Sequence, residues 1–169
     1  HRGVTLAEAL REAGLAGVPR QRLAPGRYAG FVEAHIEQGP DLEDSGRKIG
    51  VVSSIVGLRG IRFAFRGQQN HAGTTMMARR RDAASALYGL AHRINQEFPQ
   101  AAGERTVWTM GRLRVEPNAP SIVPGYAELD LQFRDASEAP LDAFEKIVAR
   151  LVADMNARGG VSIEAVPSR

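Results

Sequence analysis

Gly60-Ile61-Arg62-Phe63-Ala64-Phe65-Arg66 decides the fold. Ile61, Phe63 and Phe65 alternate with Arg62, Ala64 and Arg66, the period of a strand with one face on a core and the other in water. Working outward, Gly57–Gly60 breaks the chain just before this strand and marks a domain boundary, giving segments 1–58 and 59–169. After it, Ala78–Phe98 carries Ala83, Leu87, Leu90, Ala91, Ile94 and Phe98 at helical spacing, and Pro99 ends the helix. Arg105–Val115 and Gly125–Phe133 read as strands, the second with Tyr126, Glu128, Asp130 and Gln132 opposed to Ala127, Leu129, Leu131 and Phe133. Ser137 caps a second helix whose apolar stripe is Leu141, Phe144, Ile147, Val148, Leu151 and Met155, stopped by Gly159 and Gly160. Val161–Val166 alternates again. The order β-α-β-β-α-β predicts an α+β domain of ferredoxin-like architecture, a four-stranded antiparallel sheet with two helices on one face.

Composition narrows the function classes. The 169 residues are 43% hydrophobic, enough for one full domain or a domain with part of another. There is no cysteine, which excludes disulfides, thiolate metal sites and a cysteine nucleophile and fits the reducing cytoplasm. No apolar run approaches the roughly 20 residues of a membrane span, so no membrane partner is expected. The opening residues lack the apolar core of a signal peptide. A first residue that is His rather than Met suggests a piece of a longer protein. Net charge is +3, carried by arginines interleaved with acids, a solvated surface rather than a nucleic-acid footprint. Arg59–Phe65 has some of the look of an RNA-recognition strand. In RNA-recognition domains, however, the aromatic motif sits on the third strand, and here Phe63 and Phe65 share the core face of Ile61.

The first segment reads as an incomplete α/β unit. Leu6–Ala13 suits a short helix with Thr5 as N-cap and Gly14 as stop. Tyr28–Ile36 reads as a strand buried on both faces, and Lys48–Val56 as another β-rich stretch. Between them, Glu33–Pro40 (EAHIEQGP) sets an imidazole at His35, a carboxylate at Glu37 and an amide at Gln38 beside a Gly-Pro turn. Asp41–Gly46 is not a calcium loop, because Val52 stands where the closing Glu belongs. Gly39–Lys48 is not a phosphate loop, because Arg47 separates Gly46 from Lys48.

Three further stretches set polar groups beside tight turns. In Asn70–Thr75, His71 either donates an N–H to a developing oxyanion or lies in solvent beside a threonine helix cap. In Glu116–Pro120, Asn118 is a ligand or an Asx-turn residue. In Asp130–Asp135, Arg134 is a fork for a carboxylate or the partner of a neighbouring aspartate.

Taken together, HIEQGP (35–40), HAGTT (71–75) with Arg81-Asp82-Ala83, Pro117-Asn118-Ala119 with Val123-Pro124-Gly125, and LDLQFRD (129–135) resemble, in order and spacing, the zinc-dependent amidohydrolases of the hydantoinase/carbamoylase group. That group includes N-carbamoyl-L-amino-acid hydrolases, allantoate amidohydrolases and β-ureidopropionases, within the aminoacylase/carboxypeptidase-type metallopeptidase superfamily. Met76 and Ser121 depart from its pattern, which usually has Pro and Asn there. The resemblance implies a catalytic α/β domain with two divalent metal ions, zinc or manganese, and an inserted ferredoxin-like lid that forms a homodimer. It implies that His35 is a metal ligand, that Gln38 lies beside a small carbamoyl or ureido substrate, and that His71, Asn118 and Arg134 bind substrate and steady the tetrahedral intermediate, the lid histidine serving the neighbouring subunit. Two bridged metals would lower the pKa of a shared water, and a separate Glu would carry its proton. The remaining metal ligands would lie outside residues 1–169, so the chain alone is expected to bind no catalytic metal tightly and to hydrolyse nothing. A stand-alone dimerisation or binding module is the other reading.

Overall fold

Alternation along the last of the long strands is realised residue by residue: Ala127, Leu129, Leu131, Phe133 and Asp135 are buried, and the residues between them are half-buried or exposed. The computed structural model describes residues 3–168. Its elements run α1 (Leu6–Glu12), α2 (Asp41–Asp44), β1 (Gly57–Arg66), β2 (Asn70–His71), α3 (Ala83–Glu97), β3 (Val107–Glu116), β4 (Ile122–Val123), β5 (Tyr126–Asp135), α4 (Glu138–Ala157) and β6 (Ser162–Ser168), with short 3₁₀ turns at Met77–Arg79 and Phe98–Gln100. The chain divides into two compact units, His1–Gly50 and Val51–Arg169.

The second unit is the ferredoxin-like domain. Its sheet has the order β3-β5-β1-β6, with every neighbouring pair antiparallel. Phe63 pairs with Leu129 and Phe65 with Ala127, so the apolar sets of β1 and β5 lie on one face. That face packs on Leu87, Leu90 and Ile94 of α3 and on Leu141, Phe144, Val148 and Leu151 of α4. At its centre Phe98 stacks on Phe144 with ring centroids 3.7 Å apart, while Trp108 and Phe133 meet Phe144 edge-on at 5.7 and 5.6 Å. Such burial is worth about 1.5–3 kcal/mol per large apolar side chain. The opposite face is ionic. Arg62 and Arg112 both reach Asp130, and Arg112 also reaches Glu128.

Local chemistry sets the helix ends. Asp82, in extended backbone, accepts the Ser85 N–H, so α3 starts at Ala83 rather than at 78. The Met77–Arg79 turn takes up the residues between. Ser137 caps α4 as expected, and Gly159 and Gly160 follow it with φ of 73° and 88°, a conformation that glycine adopts without strain. β1 starts at Gly57, so Gly57–Gly60 is strand and not a break.

The first unit departs further from expectation. α1 forms with the Thr5 cap and a reciprocal bond from Thr5 N–H to Glu8, a capping box. Tyr28–Ile36, however, is not a strand, and Phe31 and Val32 are 84% and 96% exposed. Lys48–Val56 is likewise not β structure; Val51 and Ile55 are exposed. The physical reason is the missing ladder. A strand buried on both faces needs neighbours to take its N–H and C=O groups, and among the described residues none pairs with either stretch.

Candidate functional site

A two-stranded ladder holds the polar loop of the domain. Asn70 pairs with Val123 and His71 with Ile122, and Ala72 N–H adds a bond to Ser121 C=O at 2.9 Å. Backbone contact at Gly67 and Gly125 sets this small ladder against the start of β5. A Cβ on Gly67 would lie 2.0 Å from the Arg81 carbonyl oxygen, and one on Gly125 would lie 2.8 Å from the Gln69 nitrogen. Only hydrogen fits at the first of these positions.

The loop then turns back on the imidazole. Gly73 N–H donates to His71 Nδ1 at 3.0 Å, and Thr75 N–H donates to His71 C=O at 3.1 Å. Because Nδ1 accepts, the neutral ring carries its proton on Nε2, and that N–H is left to donate outward. Arg80 closes the loop by donating from Nε to Thr75 C=O at 3.0 Å and from Nη2 to Ala72 C=O. Nothing in the sequence pattern pointed to this clamp, because an arginine bonded to carbonyls has no spacing signature. Neither Thr74 nor Thr75 caps α3; Asp82 does.

Asn118 is brought to the same end of the domain. It lies four residues before Ile122, the register partner of His71, and the Ile122 N–H to Ala119 C=O bond closes the turn between them. The Glu116–Pro117 peptide is cis, and Asn118 follows with φ of 57°. Arg134 is not brought there. It sits eight residues along β5 from Tyr126, which is about 27 Å at 3.4 Å per residue, opposite Leu58 and Val107. His71, Asn118 and Arg134 therefore do not line one cleft within a single copy of this chain.

Arg134 is also not a surface ion pair among the described residues. Asp130 is taken by Arg62 and Arg112, and Asp135 accepts from Thr106 Oγ1 and Ser137 N–H. The Thr106 hydroxyl, followed by the Ser137 amide, holds the Asp135 carboxyl below the usual carboxylate range. The hydrogen bond from Arg62 does the same for Asp130.

In the first unit, His35 is exposed and its Nδ1 lies within hydrogen-bonding distance of the Ile36 carbonyl oxygen. A carbonyl only accepts, so here Nδ1 carries the proton and Nε2 the lone pair. This is the tautomer that an Nε2 metal ligand needs, its other nitrogen held by a backbone carbonyl. The two histidines thus stand in opposite tautomers, one suited to ligation and one to donation. Glu37 is committed locally, both its oxygens accepting the Leu42 N–H at 3.1 Å. Gln38 has φ of 62°, which turns the chain sharply after His35. Among the described residues no group of three or more His, Asp or Glu side chains is placed to hold a metal ion. The residues present fit one ligand position rather than a metal site.

Residues 54–161 match the model of the peptidase dimerisation domain. The chain belongs to this family. It is similar to a solved amidase of the hydantoinase/carbamoylase family from Burkholderia phymatum, with 46% identity and a TM-score of 0.84, over 100% of this chain and 42% of that one. It is 36% identical over 149 residues to an N-carbamoyl-L-amino acid amidohydrolase of Geobacillus stearothermophilus, covering 87% of this chain and 36% of the relative. It is 33% identical over 150 residues to an allantoate amidohydrolase of Bacillus subtilis, covering 89% of this chain and 36% of the relative. The dimerisation domain thus accounts for most of a chain that spans well under half the length of these relatives. Among its described residues no helix is long and apolar enough to cross a membrane.

Proposed function

We propose that this chain is the lid and dimerising part of a metal-dependent amidohydrolase that cleaves a linear C–N amide bond in an N-carbamoyl amino acid or a ureido acid such as allantoate. The observation that carries the reading is the bond from Gly73 N–H to His71 Nδ1, which fixes a neutral imidazole with Nε2–H pointing away from its own loop. A fixed N–H donor stabilises an oxyanion without reorganisation, and removing one such donor costs about 10²–10³ in rate.

In this reading His35 supplies one nitrogen ligand through Nε2. Zinc or manganese held by His35 together with further ligands would polarise the substrate carbonyl and activate a water. Gln38 lies beside the substrate, and Arg134 forks onto its carboxylate. The length of β5 between Arg134 and the His71–Asn118 end supports a site shared by two protomers, each giving His71 and Asn118 to the pocket that holds the other's Arg134. The relatives' activities support amide hydrolysis as the reaction class.

The test is complementation in the full-length protein, assayed on N-carbamoyl amino acids, allantoate and ureidopropionate. His71→Ala and Arg134→Ala homodimers should each be inactive. Subunits mixed in equal amounts should recover about a quarter of wild-type activity, because half the dimers carry one intact site. No recovery from folded mixed dimers would sink the shared site, and no turnover of any of the three substrates by wild-type protein would sink the reaction class. The chain of residues 1–169 alone should turn over none of them with added Zn²⁺ or Mn²⁺.

The match of residues 54–161 to the peptidase dimerisation domain also fits a second reading, a dimerisation or binding module without catalysis. Dimerisation of this chain together with inactivity of the full-length protein would select it.

A further inference from the structure

Beside the turn between α4 and β6 lie two adjoining clefts, of about 340 and 470 Å³, that share Gly159, Gly160 and Val161. The first combines Arg80 and Arg158 with the apolar side chains of Met77, Met155 and Ile163. The second adds Arg66 and Arg81. Asp82 is the one carboxylate in either lining, and it is committed to the Ser85 N–H. Arg66 has Glu164 only at 3.9 Å, and neither Arg81 nor Arg158 has an ion-pair partner among the described residues. Arg80, Arg81 and Arg158, with Arg66 shared with Glu164, stand against one engaged carboxylate and leave net positive charge beside these clefts. The apolar part of the lining distinguishes it from a merely solvated basic surface.

We propose that these clefts bind a small organic anion, a carboxylate or phosphate group carrying one apolar arm, and that its binding is felt at His71. The anion meets the arginine forks, and the arm rests on Met77, Met155 and Ile163. Arg80 links the two places. It lines the first cleft and also donates to the carbonyls of Ala72 and Thr75, which bracket Gly73 and its bond to His71 Nδ1. An anion that draws on Arg80 competes with those carbonyls, so occupancy shifts the loop. This goes beyond the hydrolytic reading and its binding step does not depend on it.

The experiment is a titration of this chain, labelled with ¹⁵N, using phenyl phosphate, benzoate, inorganic phosphate and phenol as separate probes. Phenyl phosphate or benzoate should give saturable shifts at Gly159, Gly160 and Gly73 together. Inorganic phosphate should bind about tenfold more weakly for want of the arm, and phenol should give no saturable shift. Arg81→Ala combined with Arg158→Ala should weaken the anionic probes by about tenfold or more, and Arg158→Gln alone serves if the double variant does not fold. Shifts scattered over other surface arginines, equal binding of phenol, or unchanged affinity in the variants would overturn the site. Saturation at Gly159 and Gly160 with Gly73 unmoved would overturn the link to His71.

Discussion

Arg80→Ala gives the most direct reading of how the His71 loop is held. The substitution removes two hydrogen bonds from a half-buried guanidinium to the carbonyls of Ala72 and Thr75. Charge-assisted bonds contribute about 1.5–3 kcal/mol each, and partial exposure places these at or below the lower end, so the loop should lose about 2–3 kcal/mol against local opening. At 1.4 kcal/mol per decade, this is an increase of about 30- to 140-fold in the open population. The amides that report it are Ala72 N–H, bonded to Ser121 C=O, and Thr75 N–H, bonded to His71 C=O. Native-state hydrogen exchange on this chain should show both speeding up by that factor, while amides of β1 and β5, which open only on global unfolding, speed up by no more than the same factor. Arg80→Lys should fall between, since a compact ammonium lacks the fork that reaches both carbonyls. If Ala72 and Thr75 exchange within about threefold of wild type in Arg80→Ala, the clamp is not what orders the loop and the argument from its geometry is wrong.

Other outcomes follow from the core and from the titrating groups. Phe144→Ala removes the ring stacked on Phe98 and should cost about 3–5 kcal/mol in urea unfolding; a loss below about 1 kcal/mol would mean the aromatic cluster is not the packing centre. Asp135 and Asp130 have folded pKa values lowered from the usual carboxylate range, so the stability they confer is present above about pH 4 and is lost as pH falls through those lower values. Asp135→Asn, which cannot titrate, should therefore lose less stability than wild type between about pH 5 and about pH 2.5, and an equally steep acid limb would contradict this. Ring ¹⁵N shifts at high pH should report Nε2–H at His71 and Nδ1–H at His35; the same tautomer at both would remove the distinction between donor and ligand.

The domain was legible in the sequence wherever one residue's periodicity decided its fate. The alternation of β5, the stripes of α3 and α4, the Ser137 cap and the paired glycines after α4 all report local geometry, and all are realised. What depends on a partner was not legible. Tyr28–Ile36 has the composition of a buried strand, but composition carries no information about whether a ladder neighbour exists, and here it lies exposed. The start of α3 was misplaced because Arg79, Arg80 and Arg81 are good helix formers, while Asp82 offers a cap that ends the competition at Ala83. For the candidate site, motif order placed His71 and Asn118 near one another through the β2–β4 ladder. It could not show that strand direction carries Arg134 to the far end of β5, since linear spacing contains no direction.

The β2–β4 ladder has a consequence for how this domain can change. Every bond that fixes the His71 ring and its flanking peptide on the ladder side uses main-chain atoms: Gly73 N–H, Ser121 C=O and the pairing with Ile122. Main-chain scaffolding is indifferent to side-chain identity, so residues at positions such as Thr74, Met76 and Ser121 are open to replacement while the imidazole keeps its bearing. Recognition can thus be re-tailored around a donor held on the ladder side by the peptide backbone, with Arg80 closing the loop on the other.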